Sequence, residues 1–366
     1  MEFPTSHPQQ PLPYDPSYEV REEDEAATIA GIEESMRDIA ATVDKDTGHA
    51  HRGVHAKSHG LLRGQLRVLP GLPPEYAQGL FAAAGEYPVI MRLSTTPGDL
   101  LDDKVSTPRG MAIKVIGVAG ERLPDGAGDV TQDFVMVNGP AFLAPSAKQF
   151  LGSLKLLAAT TDKAPGLKKA LSAALRGTEK ALEAVGVESA RLKSMGGQAE
   201  THPLGETYFT QTPLLYGPYM AKLSLAPVSP ELAALKDEKV ELEHKPNGLR
   251  GAVVEFMARR AAEWELRVQL CTDLAAMPVE DSTVEWKAPW VAVARITAPP
   301  QEAWTHGWSV QIDDGMQFNP WHCLAAHRPL GSINRVRRAV YAASARFRAE
   351  RNGAPLAEPR AQLSTG

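Results

Sequence analysis

Asn334-Arg-Val-Arg-Arg-Ala-Val-Tyr-Ala-Ala-Ser-Ala-Arg-Phe-Arg348 is the stretch on which the reading of the whole chain turns. Taken as a helix at about 100° per residue, it places Arg337, Tyr341 and Arg348 within roughly 40° of one another on one face. Ile333, Val336, Val340 and Phe347 form an apolar stripe beside that face, which would dock the helix on a core. A phenol set between two guanidiniums is unusual, because nearby positive charge favours phenolate over phenol. A phenolate is a hard anionic oxygen, one of the donors that can hold iron. The plainer reading is a solvated Arg/Tyr-rich helix. The stripe alone does not choose between them.

The other end of the chain differs. Residues 1 to about 18 carry Pro4, Pro8, Pro11, Pro13 and Pro16 with little to bury, and read as an extended arm. From Glu19 to Val43, Ile29, Ile32, Met36 and Ile39 recur at spacings of three and four, an acidic amphipathic helix. This arm and helix, residues 1–45, are set apart from a larger unit over 46–366. In that unit short apolar runs broken by Gly and Pro read as strands: 66–69, 89–94, 111–116, 134–138, 219–225, 264–270 and 290–296. Residues 146 to about 195, rich in Ala, Leu and Lys, read as helices. Strands, helices, strands and a last helix give an α+β order, and short evenly spaced strands suit a barrel.

Composition narrows the function classes. The 366 residues can bury a substantial core. With 39 basic and 44 acidic residues the net charge is -5, which gives no footprint for nucleic acid or an anionic membrane. Cys271 and Cys323 are too few for a disulfide framework and suggest a reducing compartment. The first residues lack the basic and apolar regions of a secretory signal, and no apolar run approaches a membrane span. The expectation is a cytoplasmic protein.

Four histidines, His49, His51, His55 and His59, cluster within eleven residues. A transition-metal site is one reading, since imidazole suits zinc. Gly53 and the β-branched Val54 spoil the helix that would align His55 with His59, and no Cys or carboxylate stands at ligand spacing. A second reading begins at Arg52-Gly-Val-His-Ala-Lys57, which resembles the distal-histidine segment Arg-x-Val-His-Ala-Lys of the haem catalase superfamily. The resemblance continues in chain order. Arg92-Leu-Ser-Thr95 is similar to Arg-Phe-Ser-Thr, and Pro108-Arg-Gly-Met-Ala-Ile-Lys114 to Pro-Arg-Gly-Phe-Ala-Val-Lys. Asp133-Phe-Val-Met-Val-Asn-Gly-Pro140 resembles the strand ending in Asn-Asn-Thr-Pro, and Arg337-x-x-x-Tyr341 the proximal-ligand motif.

This resemblance, over about residues 49 to 348, implies a closed antiparallel β-barrel with flanking helices and a C-terminal proximal helix. It implies one haem b whose ferric iron is ligated by Tyr341, with Arg337 favouring phenolate. Arg52, Arg92 and Arg348 match propionate-pairing arginines. His55 would be the distal acid/base and Ser94 the partner that fixes its tautomer. Val54 would touch the haem; Phe142 and Phe150 match pocket aromatics, though either could equally be ordinary core. Aligned on Pro140, the family's distal Asn falls on Val137, with Asn138 beside it. Asn138 takes the role if a local bulge shifts the strand by one residue.

Some positions depart from the pattern. Leu143 replaces a second Phe, Thr96 a channel Val, Thr107 a channel Asp, and Ala345 a proximal His. The chain therefore resembles the short catalase-related haem peroxidases. The implied activity is reduction of organic hydroperoxides, hydrogen peroxide or both, through a ferryl intermediate and with an electron donor, in a dimer or tetramer. Other readings are dismutation of hydrogen peroxide, fatty-acid hydroperoxide rearrangement, and a non-catalytic haem carrier or sensor. Rearranging relatives have Thr before the distal His, where this chain has Val54.

Overall fold

Period-two alternation builds the centre of the molecule. The computed structural model describes residues 10–105, 107–158 and 198–363. Nine strands form one antiparallel sheet: β1 Ser58–Val68, β2 Glu86–Thr95, β3 Arg109–Ile116, β4 Thr131–Val137, β5 Tyr208–Phe209, β6 Leu214–Tyr216, β7 Tyr219–Pro227, β8 Ala262–Leu270 and β9 Val291–Ala298. The strand order is β5-β4-β3-β2-β1-β9-β8-β7-β6, and a further β5–β7 pairing closes it. β5 and β6 pair with successive parts of β7, so they are two pieces of one interrupted strand. The result is the expected closed antiparallel barrel with flanking helices, here of eight strands, which leaves no free sheet edge around its girth.

Inside the barrel stand Leu62, Leu66, Val89, Met91, Leu93, Met111, Ile113, Val115, Phe134 and Met136, with Trp264 and Tyr208 from the opposite wall. Their neighbours one residue away point outward, which turns Arg92, Ser94, Ala112 and Val135 to the outer face. The helices cover that face. α1 (Glu25–Thr47), α2 (Ala147–Ala158) and α4 (Ser332–Asn352) share a small apolar core of Ile32, Met36, Ile39, Leu154, Ile333, Val336 and Val340. α3 (Gly248–Met257) packs against β1. The helix expected from residue 19 begins at Glu25, and the helical reading beyond residue 158 up to about 195 lies outside the described residues. No helix among the described residues is long and apolar enough to cross a membrane.

Residues 10–15 run extended, with Leu12 N donating to Cys271 O at 2.8 Å and Tyr14 N to Pro218 O at 2.8 Å. Glu19 then anchors the start of α4. Its carboxylate accepts from Gly331 N at 3.1 Å and pairs with Arg335 at 3.1 Å, while Arg335 also reaches Glu25 and Glu280. Carboxylates at a helix N-terminus suit its dipole.

A second ionic cluster holds the chain beyond α4. Fully buried Lys114 donates to both oxygens of Asp133, at 2.7 and 2.8 Å, and to Glu358 at 2.7 Å. His322 stands 3.4 Å from Asp133 and 3.3 Å from Glu358. Burial works against charge on His322, but bonds to Asp133 and Glu358 win and raise its pKa to about 9. Burial likewise opposes charge on Glu358, yet His322 and Lys114 lower its pKa to about 2. A raised histidine stabilises the fold below its unfolded pKa, and that gain is lost as pH rises through about 9. The depressed glutamate acts above its unfolded pKa and loses its gain as pH falls towards about 2. His322→Gln is therefore expected to cost about 2 kcal/mol near pH 6. In urea titrations that difference should shrink towards pH 10; a pH-independent difference would exclude this linkage.

Candidate active site

Two cross-strand rows on the outer face of the barrel form one wall of a cleft. Ser94, Gly110 and Val137 are aligned across β2, β3 and β4, and so are Arg92, Ala112 and Val135. Directly opposed residues of antiparallel strands share a face, so the alternation that filled the barrel also sets these six side by side. Across the cleft stand Met36 of α1 and Val340, Tyr341 and Arg348 of α4. The empty space, its open mouth included, is about 710 Å³. It continues into a neighbouring space of about 840 Å³ walled by Ile32, Phe142, Leu143, Ala147, Phe150 and Val336.

His55 lies against the barrel wall. Its φ of 54° is left-handed, a conformation that costs a non-glycine residue about 1 kcal/mol. Three contacts hold it there. Its N–H donates to Thr96 O at 2.8 Å, its carbonyl accepts from Arg92 at 2.9 Å, and Nδ1 meets Ser94 Oγ at 3.0 Å. The ring fits only because residue 110 is glycine. A Cβ at Gly110 would stand 2.5 Å from His55 Nδ1 and 2.8 Å from Ser94 Oγ. Burial, with Arg92, Arg337 and Arg52 nearby, lowers the imidazole to about 3, so it is neutral at ordinary pH.

One end of the cleft is cationic. Arg52 donates to the carbonyls of Asp313, Ile312 and Met316 at 2.8, 3.2 and 3.0 Å. Arg92 Nε binds Asp313 Oδ1 at 2.6 Å, and Arg52 reaches the same oxygen at 3.3 Å. Buried Arg348 bonds to Ser344 O and Met316 O, both at 3.3 Å, and its Nε has no partner. Burial raises the Asp313 pKa, but Arg92 and Arg52 outweigh it and hold the carboxyl well below the usual range. Burial and the charge of Arg92 push Arg348 down to about 10. Asp313 was not legible beforehand, because it stands in the π-helical turn Val310–Asp314 with no periodic signal.

Tyr341 faces both spaces, and its hydroxyl has no hydrogen-bond partner among the described residues. Arg337, one turn earlier, donates to Thr212 Oγ1 at 3.1 Å and Asn334 Oδ1 at 3.2 Å rather than to the phenol. Its guanidinium lies 5.7 Å from the centre of the Phe142 ring, and Phe142 and Phe150 meet at 5.2 Å. Val54 lines both spaces. Gln211, not anticipated from sequence, lines the second space and ties down the loop after β4 through Gly139 O and Ala141 O.

Asn138 is a correction. β4 runs in unbroken register to Val137, without the bulge that would turn Asn138 into the cleft. Val137 lines the space instead, while Asn138 Oδ1 accepts from Arg109 N at 2.8 Å. The four histidines do not converge either. His59 points to Thr95, and no metal-binding group of three or more His, Cys, Asp or Glu occurs among the described residues. Cys323 is buried, which pushes its thiol up to about 12. Trp321 bonds Asn334 O on α4, whereas Trp304 and Trp308 lie under Arg250 and Arg63.

The donor set fits the haem that the sequence motifs implied. Arg52 and Arg92 share the single carboxylate of Asp313 and Arg348 stands beside them on backbone carbonyls, so three guanidiniums against one carboxylate leave two positive charges for two propionates. Asp314 is turned away, towards His49 and Asn352. Arg348 Nε is buried without a partner, and the Tyr341 hydroxyl faces the cleft unengaged.

Among solved structures the chain is similar to a fungal catalase, with a TM-score of 0.58 and 16% identity over 86% of this chain and 61% of that one. Catalase A from Saccharomyces cerevisiae matches with a TM-score of 0.58 and 15% identity, over 85% of this chain and 63% of that one. A bacterial catalase matches with a TM-score of 0.56 and 16% identity, over 85% and 59%. The chain has the fold of these catalases and spans about three fifths of their length. No protein-family model and no curated protein matches the sequence.

Proposed function

We propose that this chain, with its catalase fold, is a haem-dependent peroxidase that reduces organic hydroperoxides and, in the same site, hydrogen peroxide. One observation carries the reading: the unengaged Tyr341 phenol and the neutral His55 imidazole line the same cleft from opposite walls. Haem b would be held by Tyr341 at its iron and by Arg52, Arg92 and Arg348 at its carboxylates, with Val54, Phe142 and Phe150 beside it. When bound it supplies the redox-active iron at which peroxide is reduced.

The proton chemistry belongs to the chain. With Nδ1–H donated to Ser94 Oγ, His55 Nε2 keeps a free lone pair and acts as a base. It takes the hydroperoxide proton and returns it to the alkyl-side oxygen, so that the O–O bond breaks with a neutral alcohol leaving. Ser94 fixes the tautomer, Gly110 gives the ring its seat, and Thr96 and Arg92 hold its backbone. The wall of Ile32, Phe142, Leu143 and Phe150 favours an alkyl group over a second small peroxide. The catalases of like fold favour a second reading, dismutation of hydrogen peroxide.

Turnover of hydrogen peroxide against a bulky alkyl hydroperoxide, with and without an electron donor, separates the two. The peroxidase reading expects donor-dependent consumption of both; rapid oxygen release without a donor favours dismutation. Purified protein that takes up no haem ends both readings. A subtler check is Gly110→Ala. Displacing the ring should slow peroxide cleavage at least about tenfold while haem content stays unchanged. An unchanged rate in stopped flow would show that the seat is dispensable.

A further inference from the structure

Arg52 and Arg348 form the floor of a second cavity on their other side, with about 510 Å³ of empty space, its open mouth included. It opens past His49, whose side chain is 43% exposed, and past Leu100, also 43% exposed. Polar and charged groups line most of it, and most of these are already engaged. Asp313 serves Arg52, Arg92, Ser58 and Ser309. Asp314 serves His49 at 3.0 Å and Asn352 at 3.2 Å. Lys57 is spent on Asp103 and two carbonyls.

Two groups remain. Arg250 of α3 donates Nε and Nη2 to Ser58 O, at 3.0 and 2.8 Å, and lies 3.9 Å from the centre of the Trp304 ring. It forms no ion pair among the described residues, and the carboxylates of Asp313 and Asp103 act on it only at longer range. His51 has no hydrogen-bond partner among the described residues, and its ring centre is 5.0 Å from that of His49. Burial and the neighbouring His49 lower it to about 4, which leaves a neutral imidazole able to accept a proton. A free cation, a flat guanidinium–indole surface and an idle base thus face one cavity. Its inner end is the pair of guanidiniums shared with the cleft.

We propose that this cavity binds the reducing substrate, a small planar organic acid that carries an ionisable hydroxyl on a conjugated system. The proposal rests on the peroxidase reading. Arg250 would pair with the carboxylate. As the hydroxyl O–H bond breaks, His51 takes its proton while the electron passes inward. With AH the donor and a hydroperoxide ROOH the oxidant, the balance is ROOH + 2 AH → ROH + H2O + 2 A•, each donor losing one electron and one proton.

Calorimetric titration of the haem-loaded protein without peroxide tests the site apart from turnover. 4-Hydroxybenzoate is expected to bind one per chain, and its uncharged counterpart 4-methylphenol at least about tenfold more weakly. Arg250→Gln should weaken the acid about tenfold. Leu100→Glu, an exposed change at the mouth that leaves the interior intact, should weaken it at least about threefold through like-charge repulsion. Equal affinity for the two ligands, or affinity untouched by both substitutions, would overturn the proposal. No binding to a haem-loaded protein that reduces peroxide overturns the donor site alone. A chain that takes up no haem overturns the peroxidase reading.

Discussion

Replacing His55 by alanine is expected to slow peroxide cleavage by about 10²- to 10⁴-fold, the usual worth of a positioned acid/base. Haem content should be unchanged, because the role proposed for His55 is a proton path rather than a ligand or a propionate contact. The effect is large because no other residue can substitute. Ser94 is bonded to the ring itself, and Val137 stands where an amide would have to reach the substrate. With the imidazole at about 3, the wild-type rate should also be flat from about pH 5 to about pH 8, since the base is not titrated there. Stopped-flow measurement of hydroperoxide loss reads both. An alanine variant that cleaves peroxide at the wild-type rate would remove His55 from the mechanism.

Tyr341→Phe addresses the opposite wall. It deletes one oxygen with no hydrogen-bond partner among the described residues, so the apoprotein should fold with nearly unchanged stability. Haem affinity should nevertheless fall about tenfold or more, with a displaced Soret band, because the proposed function makes that oxygen the iron's protein ligand. That contrast is the informative part. A purely structural tyrosine would change stability and leave the spectrum alone; a ligand does the reverse. Wild-type spectra and haem content in the variant would refute the assignment.

The barrel was legible because its interior is apolar while its outer face alternates with it. Runs such as Val89-Ile-Met-Arg-Leu-Ser94 therefore show both the strand and the residues it turns outward. β5 and β6 were not legible, since two- and three-residue pieces separated at Thr210–Pro213 carry no period. Motifs on a continuous strand or helix, such as Arg92 with Ser94 and Arg337 with Tyr341, came to the cleft together because local geometry fixes their spacing. Asn138 did not, because its side depends on one residue of register that only the pairing with β3 decides. Asp313, in a short π-helical turn, and Gln211, in a loop, reach the site by the tertiary path. Gly110 was visible within a motif, but its reason is the ring of a histidine on another segment.

The pairing of the first strand with the last has a consequence for biosynthesis. β1 finds β9 more than two hundred residues later, and Glu19 waits for Arg335. On the ribosome the early strands must persist with an open seam, a state prone to wrong partners. The wall bearing His55 can form before the helix bearing Tyr341 has been synthesised. A truncated or stalled chain therefore has only one wall of the cleft. On the proposed function, oxidising chemistry would be withheld until nearly the whole polypeptide is in place.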